Sequence, residues 1–212
     1  MLLYPLKICG ITNEADAFSA AQAGASYLGY ILNAPTSPRY IRVNTAAAII
    51  KRVRQIYPAV KHVGVFVDAS SAVMDQVISQ LQLDVVQLHG QESLQDIEQL
   101  IAPVIWKTVI VSTPDDLQQL HLFQRSLARS ACSAILLDSG QGSGQTIAST
   151  LLDQVTDFST IILAGGITPD NVTELIQRYH PAIIDVNSGV EAVPGKKDIF
   201  KIKQLIQRLN RL

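Results

Sequence analysis

The stretch LKICGITNEADAFSAAQAG, residues 6–24, joins two periodicities through one turn. Its first four residues read as an extended run, in which alternate side chains share a face, so Lys7 and Cys9 point together. Gly10 frees the backbone beside the cysteine. Asn13 is a side chain that can accept an orphan amide of a helix's first turn, and the helical segment EADAFSAAQAG follows it. The stretch is therefore a strand–turn–helix unit with a cysteine at the strand's carboxyl end. That cysteine is either buried filler or a group aimed into a site, and spacing elsewhere in the chain has to decide.

The unit recurs. Apolar runs rich in β-branched residues at 6–9, 26–31, 62–67, 85–88, 104–109, 134–137, 160–164 and 182–186 alternate with longer amphipathic segments. Capping-type residues open several of these segments: Asn13, Asn44 before TAAAIIKRVRQ, and Ser70 before SAVMDQVISQL. Later helices are expected near Gln91-Glu92, Thr113-Pro114, Ala148, Thr168-Pro169 and Lys197. Proline suits a first turn because its missing N–H has no intrahelical partner to lose. Eight strand–helix units about 25 residues apart, with no linker between them, predict an α/β protein whose parallel sheet carries its helices outside. An open doubly wound sheet usually holds fewer strands. The expectation is one closed (β/α)8 barrel of the TIM type over residues 1–212, with shorter loops than the typical chain of ~250 residues allows.

Composition excludes several classes. Lys and Arg number 17 against 18 Asp and Glu, a net charge of −1, so no basic face for nucleic acid is expected and an anionic ligand needs a local site. The two cysteines, Cys9 and Cys132, have neither disulfide nor metal-ligand spacing, which reads as a reduced, cytoplasmic protein. The opening MLLYPLKICG has no basic n-region and breaks at Pro5 and Lys7, so it fails as a signal peptide. No segment approaches the ~18 uninterrupted apolar residues of a membrane span. Cys132 and Trp106 lack polar strand-end surroundings and read as packing.

In such a barrel the active site lies at the carboxyl ends of the strands. Polar residues gather there: Cys9 after the first run, Gln87 and His89 at the fourth, Asp138 at the sixth, Asp185 and Asn187 at the eighth. A charged residue closing the run Ala-Ile-Leu-Leu is costly unless it faces a polar mouth. Two glycine pairings suggest an anion site. Gly165-Gly166 stands between the seventh strand and its helix, and Ser188-Gly189 follows the eighth strand. Glycines at these places let backbone N–H groups approach a phosphate, and phosphate sites after strands seven and eight recur in this architecture.

The motifs KICGIT (7–12), SPRYI (37–41), VGVFV (63–67), VQLHG (86–90), LLDS (136–139), AGGITPDNV (164–172) and NSGVEAVPGKKD (187–198) run in order over essentially the whole chain. Together they resemble the phosphoribosylanthranilate isomerase family of tryptophan biosynthesis. The resemblance implies an Amadori rearrangement of a small phosphosugar by general acid–base catalysis, a reaction that calls for no metal or other cofactor. It implies Cys9 as general base and Asp138 as general acid. Arg39 would grip the anthranilate carboxylate, His89 and Asp185 would contact substrate, and Gly165, Gly166, Ser188 and Gly189 would hold the phosphate. For these roles the Cys9 thiol is expected below its ordinary pKa of ~8.5, with Lys7 contributing positive charge, and the Asp138 carboxyl above its ordinary ~3.9. The implied partners are the substrate alone, with neither nucleic acid nor membrane, in a monomer or homodimer.

The chain departs from the family pattern after LLDS. The glycine turn (Gly140, Gly142, Gly144) is kept, so the sixth loop can still move over a ligand, but Ile147-Ala148-Ser149 replaces a Phe-Asp-Trp run. That loss bears on the start and packing of the sixth helix rather than on the acid. Asn187-Ser188 also stands where Ser-Ser is commoner. Two alternatives remain: another phosphosugar isomerase or epimerase on a related barrel, which should carry paired carboxylates or metal-ligating histidines, and a noncatalytic phosphosugar-binding barrel, which would need neither Cys9 nor Asp138.

Overall fold

The eight apolar runs become eight parallel strands: β1 (Leu6–Ile8), β2 (Tyr27–Ile31), β3 (Lys61–Phe66), β4 (Val85–Leu88), β5 (Ile105–Ile110), β6 (Cys132–Asp138), β7 (Ile161–Leu163) and β8 (Ile183–Val186). They pair in sequence order and close, β1 hydrogen-bonding to both β2 and β8. The structure is a computed structural model that describes residues 4–102, 104–127, 132–140 and 146–212. Gly142 and Gly144 of the expected mobile turn lie outside the described residues. Helices α1 (Glu14–Ala23), α2 (Val43–Ile56), α3 (Ser71–Leu81), α4 (Leu94–Glu98), α5 (Asp116–Leu127), α6 (Ser149–Leu152), α7 (Val172–Tyr179) and α8 (Ile199–Leu209) follow their strands in turn. A short antiparallel hairpin, β9 (Glu191–Val193) with β10 (Lys196–Lys197), sits between β8 and α8, outside the barrel.

Strand alternation divides the core in two. Leu6, Ile8, Leu28, Tyr30 and Ile184 point outward into the layer shared with the helices. Val63, Val85, Trp106, Ala134, Leu136 and Ile162 fill the barrel interior, and Tyr27 meets the Trp106 ring edge-on at 5.0 Å. Trp106 is thus packing, as is Cys132, a buried thiol at the start of β6.

Caps account for where the helices begin. Asn13 accepts from the Asp16 amide at 2.9 Å and Ser70 from the Val73 amide at 3.4 Å, the expected pattern at α1 and α3. Other starts are displaced. Asn44 lies inside α2, which begins at Val43 without a side-chain cap. Ser93, not Gln91-Glu92, caps α4, through a reciprocal box with Asp96. The helices expected near Thr113-Pro114, Thr168-Pro169 and Lys197 begin instead at Asp116, Val172 and Ile199, the last capped by Asp198. At α6, Ala148 offers no side-chain cap and four residues are helical, while Ile147 is buried in the core.

Candidate active site

At the carboxyl ends of the strands the barrel opens into a cavity of about 330 Å³. Cys9, Arg39, His89, Asp138, Gly165, Gly166, Asp185 and Ser188 all line it. Of the nine site residues implied by the family resemblance, Gly189 alone is not part of this lining. Its apolar lining includes Ile31, Pro38, Val65 and Val67. Ile31, Val65 and Val67 carry no polar signal in the sequence, yet alternation along β2 and β3 turns them inward, and Pro38 joins them from the loop after β2. A lining that combines polar and apolar groups suits a ligand with both polar and apolar parts. Among the described residues, no group of three His, Cys, Asp or Glu could hold a metal ion.

Below the cavity floor Lys7, fully buried, donates from Nζ to Asp185 Oδ2 at 2.8 Å. Register makes the meeting possible, because Lys7 lies directly opposite Asp185 across the β1–β8 seam. The same alternation sets Cys9 above Lys7. Gly29 on β2 leaves them space: a Cβ there would stand 2.9 Å from Cys9 Sγ and 3.0 Å from Lys7 Cε. Burial works to lower the Lys7 pKa, but the charges of Asp185 and Cys9 outweigh it and hold the ammonium charged. The expectation of a depressed Cys9 pKa is overturned. Burial pushes the thiol up, and the Lys7 charge offsets only part of that penalty. Asp185 is likewise raised by burial against the pull of Lys7. Its Oδ1, and Oε1 of Gln87 on β4, are buried with no hydrogen-bond partner, so both are acceptors available to a ligand hydroxyl or amine.

Asp138 closes β6 at the mouth, where its Oδ1 accepts from the Gly140 amide at 3.1 Å. His89 lies one residue past β4, tied through its own amide to the Phe66 carbonyl at 2.7 Å. Burial lowers the His89 pKa against the opposing charge of Asp138, which favours the neutral imidazole.

Arg39 reaches the cavity from the loop after β2 with part of its guanidinium already engaged. Nε donates to Glu191 Oε1 at 2.9 Å and Oε2 at 3.2 Å, and Nη2 donates to Oε2 at 2.8 Å. Neither Glu191 nor its partner Lys197, both on the hairpin, is a site candidate in the sequence, where Lys197 marks only an expected helix start. The available signal was two charged residues inside the motif NSGVEAVPGKKD, which a surface loop would also show. Gly10 answers to the same neighbourhood: a Cβ there would stand 2.6 Å from Asn187 Oδ1 and 3.1 Å from Arg39 Cδ.

Past β7, Gly165 and Gly166 both have left-handed backbone, with φ of 80° and 59°. The loop continues to Val172 before α7 starts, held by Asn171, whose Oδ1 accepts from the Thr168 amide and whose Nδ2 donates to the Gly166 carbonyl. A 3-10 turn, Ser188–Val190, follows β8 directly. A Cβ on Gly189 would overlap the Ile167 carbonyl oxygen, so glycine is what lets the loops after β7 and β8 pack against each other.

Comparison with known proteins agrees with the barrel fold. The family model of N-(5′-phosphoribosyl)anthranilate (PRA) isomerase matches residues 6–208. An N-(5′-phosphoribosyl)anthranilate isomerase of Pelobacter propionicus is 38% identical over 207 residues, 95% of this chain and 93% of that protein. The crystal structure of phosphoribosyl anthranilate isomerase from Thermus thermophilus superposes with a TM-score of 0.82 at 33% identity, covering 98% of each chain. A phosphoribosyl anthranilate isomerase in complex with reduced 1-(o-carboxyphenylamino)-1-deoxyribulose 5-phosphate superposes at 0.79 and 34% identity, covering 99% of this chain and 100% of its own. With the family model matched over residues 6–208 and a relative 38% identical over nearly the full length of both chains, the chain belongs to the N-(5′-phosphoribosyl)anthranilate isomerase family.

Proposed function

We propose that this barrel catalyses the Amadori rearrangement of N-(5′-phosphoribosyl)anthranilate to 1-(2-carboxyphenylamino)-1-deoxyribulose 5-phosphate, with Asp138 as general acid and Cys9 as general base. Asp138 delivers a proton to the ribose ring oxygen as the ring opens to a Schiff base. Cys9, as thiolate, takes the proton from C2, and the resulting enolamine tautomerises to the ketone. The observation that carries the assignment is that Cys9 and Asp138, from strands three apart in the ring, line one cavity. Two groups on opposite walls can serve an acid step and a base step on one bound sugar. Because Cys9 is raised by burial, Lys7 matters as the neighbouring cation that makes thiolate formation less costly. Arg39 faces the aromatic carboxylate, and Gly165, Gly166 and Ser188 surround the phosphate, Gly189 holding their two loops together. Asp185 Oδ1 and His89 contact the sugar between them.

Single-turnover loss of anthranilate fluorescence tests the assignment when paired with equilibrium binding of the reduced product analogue. Cys9→Ala and Asp138→Asn should each slow chemistry by about 10²–10⁴-fold while analogue affinity stays within a few-fold. Near-normal chemistry in either variant would transfer that proton step to another group, with His89 the next to test.

A further inference from the structure

Two charged side chains outside the barrel are buried more deeply than their position explains. Glu191 and Lys197, on the β9–β10 hairpin, are 6% and 5% exposed. Burying such charges is costly unless each is paired and hydrogen-bonded, and here both are. Besides Arg39, the Glu191 carboxylate accepts from Lys197 Nζ at 3.0 Å and from the Gly195 amide at 3.2 Å. Lys197 Nζ also donates to Asn187 Oδ1 at 2.9 Å and to the Asn187 carbonyl at 3.1 Å. Arg39 and Asn187 line the cavity, whereas Glu191 and Lys197 do not.

The charge balance of this cluster gives it a purpose. An Arg39–Glu191 pair alone would be neutral and would attract an anion weakly. Adding Lys197 leaves the three groups at a net +1. The bonds Arg39 donates to Glu191 use Nε and Nη2 and leave Nη1 out. A long, rotamer-rich side chain held this way has little left to order when its ligand arrives. Burial alone would push the Glu191 carboxyl up, but the bonds from Arg39 and Lys197 bring it below the ordinary range. We propose that Glu191 is a positioning residue for substrate recognition, gripping one edge of the Arg39 guanidinium so that the remainder meets the aromatic carboxylate, with Lys197 restoring the positive charge.

This inference rests on Arg39 as the carboxylate grip, and the test separates the two. Binding is measured for the reduced product analogue and for its phenyl counterpart lacking the carboxylate, in the wild type, Glu191→Gln, Glu191→Asp, Arg39→Leu and the Arg39→Leu/Glu191→Gln pair. Glu191→Gln should weaken the carboxylated analogue by about 10- to 100-fold and raise the substrate KM correspondingly, while leaving the phenyl analogue within a few-fold. Glu191→Asp should recover part of the loss, and the double variant should match Arg39→Leu alone. If Glu191→Gln does not fold, Glu191→Asp with Lys197→Gln carries the same comparison. Equal weakening of both analogues, or losses that add in the double variant, would overturn the positioning role. Discrimination lost in Arg39→Leu but kept in Glu191→Gln would overturn it alone. Discrimination kept in Arg39→Leu would overturn the reading of Arg39 itself.

Discussion

The Cys9 thiol shows how a residue's chemistry depends on what its neighbours cost or supply. Strand alternation places it over Lys7, and a cation beside a thiol favours thiolate. Burial opposes that effect and wins, because removing the thiolate from water penalises it more than one ammonium, already shared with Asp185, can offset. The consequence is measurable without turnover. In a Cys132→Ala background, so that a single thiol reports, Cys9 alkylation by iodoacetamide should follow a titration above the ordinary thiol value of ~8.5. Replacing Lys7 with Met should move that titration higher still. A midpoint at or below the ordinary value would show that the Lys7 charge dominates after all.

At the scale of elements, each strand end contributes one or two groups, and what brings them together is the packing of loops. Gly189 is the clearest case. A Cβ added there would overlap the Ile167 carbonyl oxygen, so a methyl group forces the loops after β7 and β8 apart. Overpacking of this kind typically costs ~1–3 kcal/mol. Gly189→Ala should therefore lower stability by about that amount, and should weaken a phosphate-bearing product analogue by about tenfold or more while barely affecting its dephosphorylated form. Equal effects on the two analogues would place the phosphate elsewhere. Helix starts at this scale were only partly legible. Asn13 and Ser70 cap as their types suggest, whereas the apparent starts at Glu92 and Lys197 are charged residues drawn into buried pairs, Glu92 with Lys107 at 2.8 Å and Lys197 with Glu191. A sequence window shows a polar residue before an amphipathic run, and it cannot tell a cap from a buried ion.

For the whole molecule, the outer layer between sheet and helices holds a titrating group of its own. His62 is fully buried on the outward face of β3, with Nδ1 at 3.1 Å from the Tyr30 hydroxyl and Nε2 without a partner. Burial, with Arg54 and Lys61 adding to it and Asp84 opposing, lowers its pKa to about 4. The native state therefore refuses a proton that the unfolded chain takes up near ~6.5, so stability falls as pH drops below ~6.5 and the effect levels off below about 4. Urea unfolding from pH 7 to 4 should show the wild type losing ~3 kcal/mol more than His62→Gln, and parallel losses would remove His62 as the cause. By itself the sequence determined the eight alternating units, the closed barrel and the strand ends that carry Cys9, His89, Asp138 and Asp185. Those follow from periods of two and 3.6 residues, which each segment imposes on itself. Tertiary structure alone decided the direction of the Cys9 shift, the Lys7–Asp185 pair 178 residues apart, and the seating of Arg39 against Glu191 at a separation of 152. Burial and charge pairing depend on distances between groups remote in sequence, and those distances exist only once the barrel has closed.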